Sequence, residues 1–215
     1  KKQLLFLLFA LLALCASAAP NDVFSVGDIT YSVTLDSYSG KPGIVAVKSL
    51  SAQGKAKTSL KLDIPGVVSY NGYKYKVGVI NYDAFKGQSN ISVVQIRYNI
   101  TRIAQSAFEN CTSLTTVYMP SSLTNVGYRA FGGCTALRSV YYANATPSST
   151  SVEPGSFPEN SGMTLYVSKA HPNSKENARK VTAFDYFSTI KKHEYACDFI
   201  LGEHGYFCVT KAPLS

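Results

Sequence analysis

The chain has 215 residues, of which 46% are hydrophobic and 16% are charged, a balance that is typical of a folded protein and excludes a disordered one. Its net charge of +8 is scattered, without the clustered basic residues of a nucleic-acid-binding surface. We therefore expect no nucleic-acid partner.

The first 18 residues have the order of a secretory signal peptide. Two lysines precede an apolar run from Leu4 to Leu14, and the small residues 16–18 follow as a cleavage site. The run is shorter than the roughly 20 residues that a membrane-spanning helix needs. We predict a secreted or cell-surface protein without a membrane span, and a lipid-anchored form through Cys15 as an alternative that the large Leu14 disfavours.

Residues 19–79 are predicted to form an N-terminal β cap. Apolar residues alternate or run together in three segments, 24–26, 29–35 and 43–47. Further along, Asn71-Gly72 separates segments 67–70 and 73–77, and this dipeptide tolerates the positive φ angles of a tight turn. The pair of segments is therefore predicted to be a β-hairpin.

A 23-residue interval then repeats through the middle of the chain and aligns Phe85, Phe108 and Phe131, each preceded by an alanine. Four further apolar columns share it: Ile80, Ile103 and Val126; Ile91, Leu114 and Leu137; Val94, Val117 and Val140; Ile96, Met119 and Tyr142. Such self-similarity predicts a solenoid of stacked units over 80–170, with these columns inside. A fourth unit follows a three-residue insertion, with Val152, Phe157, Met163 and a strand at 165–167.

A strand in each unit points alternate side chains outward. Stacking then predicts three outer columns: Val93, Thr116 and Ser139; Gln95, Tyr118 and Tyr141; Arg97, Pro120 and Ala143. From these we predict a binding surface made by Gln95, Arg97, Thr116, Tyr118, Ser139 and Tyr141. Tyrosine offers a rigid face and a hydroxyl, and arginine pairs with carboxylates. The alternative is that the tyrosines only cover the sheet, since tyrosine is a good strand former.

Cys111 and Cys134 share one column, a single unit apart. Parallel side chains on neighbouring units suit packing better than bridging, so we expect buried free thiols. Together with Phe85, Phe108 and Phe131 they are predicted to be structural residues.

After the repeats, residues 171–192 are predicted to form a helical C-terminal cap. Ala178, Val181, Phe184 and Phe187 recur in steps of three, and Ser174 is a suitable N-cap.

The tail, 193–215, is predicted to be a hairpin or the start of another unit, because Phe199, Gly202 and Tyr206 echo Phe24, Gly27 and Tyr31 at a distance of 175 residues. In an exported protein, Cys197 and Cys208 suggest a disulfide. An alternative is a zinc site, for which His193, Cys197, His204 and Cys208 would supply four tetrahedral ligands. Nucleophile elbows, phosphate-binding glycine loops and zinc-protease motifs do not occur in the sequence, so no enzyme and no cofactor are predicted.

The phrase A-F-x-x-C-T-x-L, at Ala107–Leu114 and Ala130–Leu137, resembles the BspA-like leucine-rich repeat proteins, as do the flanks of the repeats over about residues 22–190. The resemblance implies a right-handed leucine-rich-repeat solenoid, mostly β with short turns, in a secreted or surface protein that binds or adheres to an extracellular protein or glycan without catalysis. A structural spacer within a larger surface protein is the alternative. The sequence indicates no oligomeric state.

Overall fold

The structure is a computed structural model that describes residues 19–36, 41–143, 151–159, 162–167, 187, 189–192, 198–202 and 205–209. The strands of the N-terminal part are β1 (Val23–Val26), β2 (Ile29–Leu35), β3 (Gly43–Leu50), β4 (Leu60–Ile64), β5 (Val67–Tyr70) and β6 (Tyr73–Ile80). Those of the repeats are β7 (Ile91–Ile96), β8 (Arg102–Ile103), β9 (Thr116–Met119), β10 (Asn125–Val126), β11 (Ser139–Tyr142), β12 (Ser151–Val152) and β13 (Thr164–Val167). β14 (Thr189–Lys192), β15 (Asp198–Gly202) and β16 (Gly205–Val209) follow, and the described residues contain one short helix, α1 (Ala52–Ala56).

Two sheets enclose the core. The eight-stranded sheet has the order β1-β2-β3-β6-β8-β10-β12, with β5 paired to β6, and the six-stranded sheet has the order β14-β13-β11-β9-β7-β4. Through the repeats the chain alternates between the two sheets, and neighbouring strands within each sheet are parallel. This is the predicted repeat solenoid, mostly β with little helix.

Stacked phenylalanine rings fill the interior. Successive ring centroids are 5.0 Å apart from Phe85 to Phe108, 5.1 Å from Phe108 to Phe131 and 5.2 Å from Phe131 to Phe157. The first three rings are fully buried, as the 23-residue interval predicts. Phe157 continues the stack, and Val152 pairs with Val126, which confirms the fourth unit after the insertion.

The interval is also present in the backbone. The amide N–H groups of Phe85, Phe108 and Phe131 each donate to a carbonyl of the next unit at 2.7 Å. Two turn positions have positive φ in three consecutive units: Asp83, Ser106 and Arg129 at 54°, 55° and 53°, and Gly87, Asn110 and Gly133 at 70°, 60° and 72°. Each unit therefore makes the same turns, which keeps the phenylalanines in register.

The N-terminal part is β-structure, as predicted. β5 and β6 form an antiparallel hairpin around Asn71 and Gly72, whose φ angles are 49° and 80°. β4 pairs in parallel with β7, and the end of β6 pairs with β8. Both sheets thus continue across residue 80 without a break, although β4 does not share the repeat pattern.

The C-terminal part corrects one prediction. Thr189 and Ile190, which the helical spacing includes, lie in β14, and this strand pairs in parallel with β13. Phe187 is buried, with its ring centroid 5.1 Å from that of Phe157. The rest of the predicted helix, from Ser174 through Phe184, lies outside the described residues, as does the signal-like segment with Cys15.

The tail contains a two-stranded antiparallel sheet of β15 and β16, as the hairpin alternative predicts. Across the described part of the chain, no helix has the length and apolar character needed to span a bilayer.

An ionic cluster ties three units together at the turn between the sheets. Glu109 exposes only 7% of its side chain, and its carboxylate lies 2.9 Å from Lys86 Nζ and 2.8 Å from Arg129 Nη2. The hydrogen bond from Lys86, supported by Ser106 and the Arg129 charge, lowers the pKa of Glu109 against the opposing effect of desolvation.

Phe108→Ala tests the ring stack, because Phe108 contacts a ring on each side. Removing this buried ring is expected to reduce the free energy of unfolding by about 3–5 kcal/mol, a large part of the total stability of a domain. Urea denaturation followed by circular dichroism measures the change. Tyr128→Ala, at an exposed ring of the same solenoid, is the control; a similar small loss for both variants would contradict the buried stack.

Glu109→Gln tests the ionic cluster. Because the folded state lowers the pKa of Glu109, the ionised cluster stabilises the native protein above the ordinary glutamate pKa. That contribution is lost as the pH falls through the folded value. Thermal unfolding from about pH 7 to pH 3 should therefore show a larger stability difference between wild type and variant at neutral pH than at acid pH. A difference that is constant with pH would disprove the assignment.

Candidate functional site

The outer face of the six-stranded sheet brings the predicted binding residues together. In register, Val93 lies beside Thr116, Thr116 beside Ser139, and Ser139 beside Thr164. A second row runs in the order Asp63, Gln95, Tyr118, Tyr141 and Tyr166. The alternating burial of β9 and β11 points these side chains away from the core, as predicted, and leaves them half-buried.

Three stacked tyrosines form the centre of this face, and we call them the tyrosine ladder: Tyr118, Tyr141 and Tyr166. The ring centroids of Tyr118 and Tyr141 are 4.6 Å apart with planes 15° apart, and those of Tyr141 and Tyr166 are 4.4 Å apart with planes 9° apart. Sequence analysis identified the first two and omitted Tyr166. The signal was present, because Tyr166 follows Tyr141 at 25 residues, within the unit that the insertion displaces.

The stacking determines which parts of the rings a partner can reach. Both faces of the Tyr141 ring lie against neighbouring rings, so the ring edge is the part left for contact. Burial raises the pKa of Tyr118, and burial together with the neighbouring tyrosines raises the pKa of Tyr141. Both phenols therefore stay protonated near neutral pH, where a phenol is a hydrogen-bond donor as well as an acceptor.

A column of hydroxyl side chains runs beside the ladder. Thr116, Ser139 and Thr164 occupy the same register position on β9, β11 and β13, two residues before each tyrosine. Strand geometry places the two rows about 7 Å apart and repeats them every ~4.8 Å across the sheet. The result is a flat grid of hydroxyl groups and aromatic edges without a deep pocket.

Arg97 has a different role from the predicted one. Its Nε and Nη2 atoms bind the carboxylate of Asp63 at 2.6 Å and 2.5 Å, and the hydrogen bond from Asp63 raises the pKa of the guanidinium. The carboxylate that sequence analysis assigned to a ligand is thus supplied by β4. Gln95 lies between this pair and Tyr118 in the row.

The third predicted outer column is only partly outward. Pro120 is buried, while Arg97 and Ala143 are half-buried. This column therefore contributes less to the outer face than the other two. The binding surface that the geometry supports consists of Gln95, Thr116, Tyr118, Ser139 and Tyr141, extended by Thr164 and Tyr166.

The repeat cysteines are buried free thiols, as predicted. Cys111 Sγ donates to the carbonyl of Phe85 at 3.0 Å and Cys134 Sγ to that of Phe108 at 3.1 Å. The neighbouring Cys111 thiol, together with burial, raises the pKa of Cys134 far above its ordinary value. These thiols join consecutive units and are not nucleophiles.

The predicted zinc alternative falls mostly outside the described residues, since His193, Cys197 and His204 are not among them and Cys208 is placed only as part of β16. The described ranges contain no group of three or more metal-binding side chains close enough to hold an ion.

The comparisons with known proteins agree on one repeat type. The family model of the BspA type leucine-rich repeat region matches residues 74–197 in 6 copies. A leucine-rich repeat protein from Bacteroides capillosus has a similar solved structure, with 24% sequence identity and a TM-score of 0.53, covering 67% of this chain and 97% of that chain. No curated protein matches the chain.

Two further solved structures are larger. A leucine-rich repeat protein from Bacteroides ovatus is 26% identical with a TM-score of 0.46, covering 68% of this chain and 38% of that chain. A leucine rich cell surface protein from Faecalibacterium prausnitzii is 18% identical with a TM-score of 0.47, covering 81% and 43%. The chain thus spans less than half the length of either protein.

Tyr141→Ala tests the stacking within the ladder. The variant loses two ring contacts, each worth about 0.5–1.5 kcal/mol, so the free energy of unfolding should fall by about 1–3 kcal/mol. Tyr141→Phe keeps both contacts and should change stability by less than about 0.5 kcal/mol. Urea denaturation distinguishes the two variants, with Tyr98→Ala at an exposed ring as the control. Equal losses for the alanine and phenylalanine variants would contradict the stack.

Proposed function

The chain belongs to the BspA-type leucine-rich repeat family, and we propose that it is an exported binding module that recognises an extracellular protein or glycan through the outer face of its six-stranded sheet. The tyrosine ladder and the adjoining hydroxyl column form the contact surface. Family membership and the signal-like residues 1–18 support an exported location, secreted or at the cell surface.

One observation carries the proposal. Three consecutive strands repeat the same outward pair, a hydroxyl residue followed two positions later by tyrosine, and the three rings stack at 4.4 Å and 4.6 Å. Stacked rings lose little side-chain freedom when a partner binds, because their rotamers are already restricted. Tyrosine combines apolar area and a hydroxyl at low entropy cost, which is the reason for its enrichment in recognition surfaces.

The ring orientation favours a protein over a glycan. Sugar recognition by aromatic residues uses an open ring face, whereas both faces of Tyr141 are covered by its neighbours. Ring edges and hydroxyls suit the peptide groups and side chains of a protein surface. The partner we favour is therefore an extracellular protein that meets a flat surface.

The electrostatics of the face support a partner that is not strongly charged. Within the part of the row that the structure describes, Asp63 and Arg97 neutralise each other at one end, and Gln95 separates them from the ladder. Hydroxyl and aromatic groups make up the remaining described positions. We accordingly expect capture to depend only weakly on ionic strength.

The double variant Tyr118→Ala, Tyr141→Ala tests the proposal. We would immobilise the protein and measure binding to a panel of purified extracellular-matrix proteins and, in parallel, to a glycan array. Loss of two central aromatic contacts should weaken capture of a matched partner by about 30-fold, as expected for a hot spot of about 2 kcal/mol.

The matched control is Tyr82→Ala, Tyr128→Ala, which removes two exposed tyrosines that lie outside the six-stranded sheet. Tyr118→Phe, Tyr141→Phe keeps the stack and isolates the contribution of the hydroxyls. Unchanged capture by the folded alanine variant would overturn the proposal and leave the spacer role for the solenoid. Binding that is confined to glycans would overturn the preference for a protein.

A further inference from the structure

The strands of the eight-stranded sheet contain four basic residues and no acidic residue. Lys48 lies on β3, Lys74 and Lys76 lie on β6, and Arg102 lies on β8. All four side chains are exposed. On β6 the lysines alternate with the fully buried Tyr75 and Val77, so they point away from the core. The outer face of this sheet is therefore cationic.

The three lysines are not neutralised within the described part of the chain. The carboxylates there pair with other cations: Asp28 with Lys57, Asp63 with Arg97, and Asp83 and Glu109 with Lys86. No ion pair there involves Lys48, Lys74 or Lys76, and the nearest carboxylate along β2, Asp36, follows the end of that strand. Arg102 differs, since its Nη2 donates to the Tyr82 hydroxyl at 3.2 Å.

Two exposed aliphatic side chains lie among these cations. Leu35 and Ile44 are partners across β2 and β3 and are 56% and 38% exposed. Ile44 is also the register partner of Lys76 across β3 and β6. We call the set of Lys48, Lys74, Lys76, Leu35 and Ile44 the lysine face. It combines unpaired charge with apolar surface on a sheet rather than in a cleft.

We propose that the lysine face docks on an anionic lipid surface. A layer of phosphate headgroups offers negative charge to the lysines and an apolar boundary to Ile44 and Leu35. Each lysine near such a surface contributes about 1 kcal/mol, and buried aliphatic area adds to it.

Other anionic partners fit the face less well. Protein interfaces are depleted in lysine and enriched in arginine and aromatic residues, the reverse of this face. Specific phosphate or carboxylate pockets use the planar fork of arginine, and here Arg102 is engaged by Tyr82. A hydrophilic linear polyanion would pair with the lysines and gain nothing from the two aliphatic side chains.

The lysine face and the tyrosine ladder lie on different sheets, with the core between them. A lipid surface and a protein partner can therefore be bound at the same time. The inference is independent of the proposed function, since neither surface shares a residue with the other.

Vesicle co-sedimentation tests the inference. The purified chain would be mixed with phosphatidylcholine vesicles that contain about 30 mol % phosphatidylglycerol, and with pure phosphatidylcholine vesicles. We expect binding to the anionic vesicles at low salt and its loss at about 0.5 M NaCl. Lys74→Glu, Lys76→Glu should weaken binding by at least about 30-fold, the loss expected for two lysines.

Lys55→Glu, Lys61→Glu is the matched control, because it changes the net charge equally at exposed lysines outside the eight-stranded sheet. It should keep most of the vesicle affinity. Ile44→Ser should weaken vesicle binding and leave retention on immobilised heparin unchanged. Circular dichroism and thermal unfolding establish that each variant is folded.

Three results would overturn the inference: no binding of the wild type to anionic vesicles at low salt, equal losses for the two double variants, or retention on heparin without vesicle binding. The last result would instead identify a linear polyanion as the partner of the lysines.

Discussion

The repeated turn of the backbone is the constraint on which the molecule depends. Each unit must offer its amide and carbonyl groups to the next in the same register, and the hydrogen bonds from Phe85, Phe108 and Phe131 to the following unit extend this requirement beyond the strands. The ring stack occupies the interior at 5.0–5.2 Å per step. A misplaced unit would lose both ring contacts and backbone partners, so register and packing enforce each other.

The same constraint turns the outside of the protein into rows. Any residue type that recurs at an outward position is brought beside its copies every ~4.8 Å, whatever its chemistry. On one sheet this aligns tyrosines and hydroxyls, and Asp63 neutralises Arg97 at the end of the row. On the other sheet it leaves lysines without internal partners. The core is uniform, and the two outer faces differ.

The repeat interval was sufficient to predict the solenoid, the buried columns and the register of Tyr118 with Tyr141, because these depend on residue identity at a fixed spacing. The Asp63 partner of Arg97 was not predictable in this way, since β4 lies outside the repeated pattern and meets β7 only through sheet pairing. Tyr166 was omitted because the insertion changes the interval before it. The helix expected at 189–190 is a strand: steps of three in a short apolar run also suit buried strand residues, and β14 completes the hydrogen bonding of β13.

A binding surface made in this way differs from a pocket in how affinity arises. Each rung adds a similar small contribution, one aromatic edge and one hydroxyl, so the strength of binding depends on how many consecutive rungs keep the pattern. The three-residue insertion lengthens the fourth unit before Thr164 without shifting Tyr166 from the row, because the pairing of β11 with β13 absorbs none of it. Length variation is therefore confined to the turns, and the outer rows remain continuous. This separation allows the turns to diverge while the face retains its geometry.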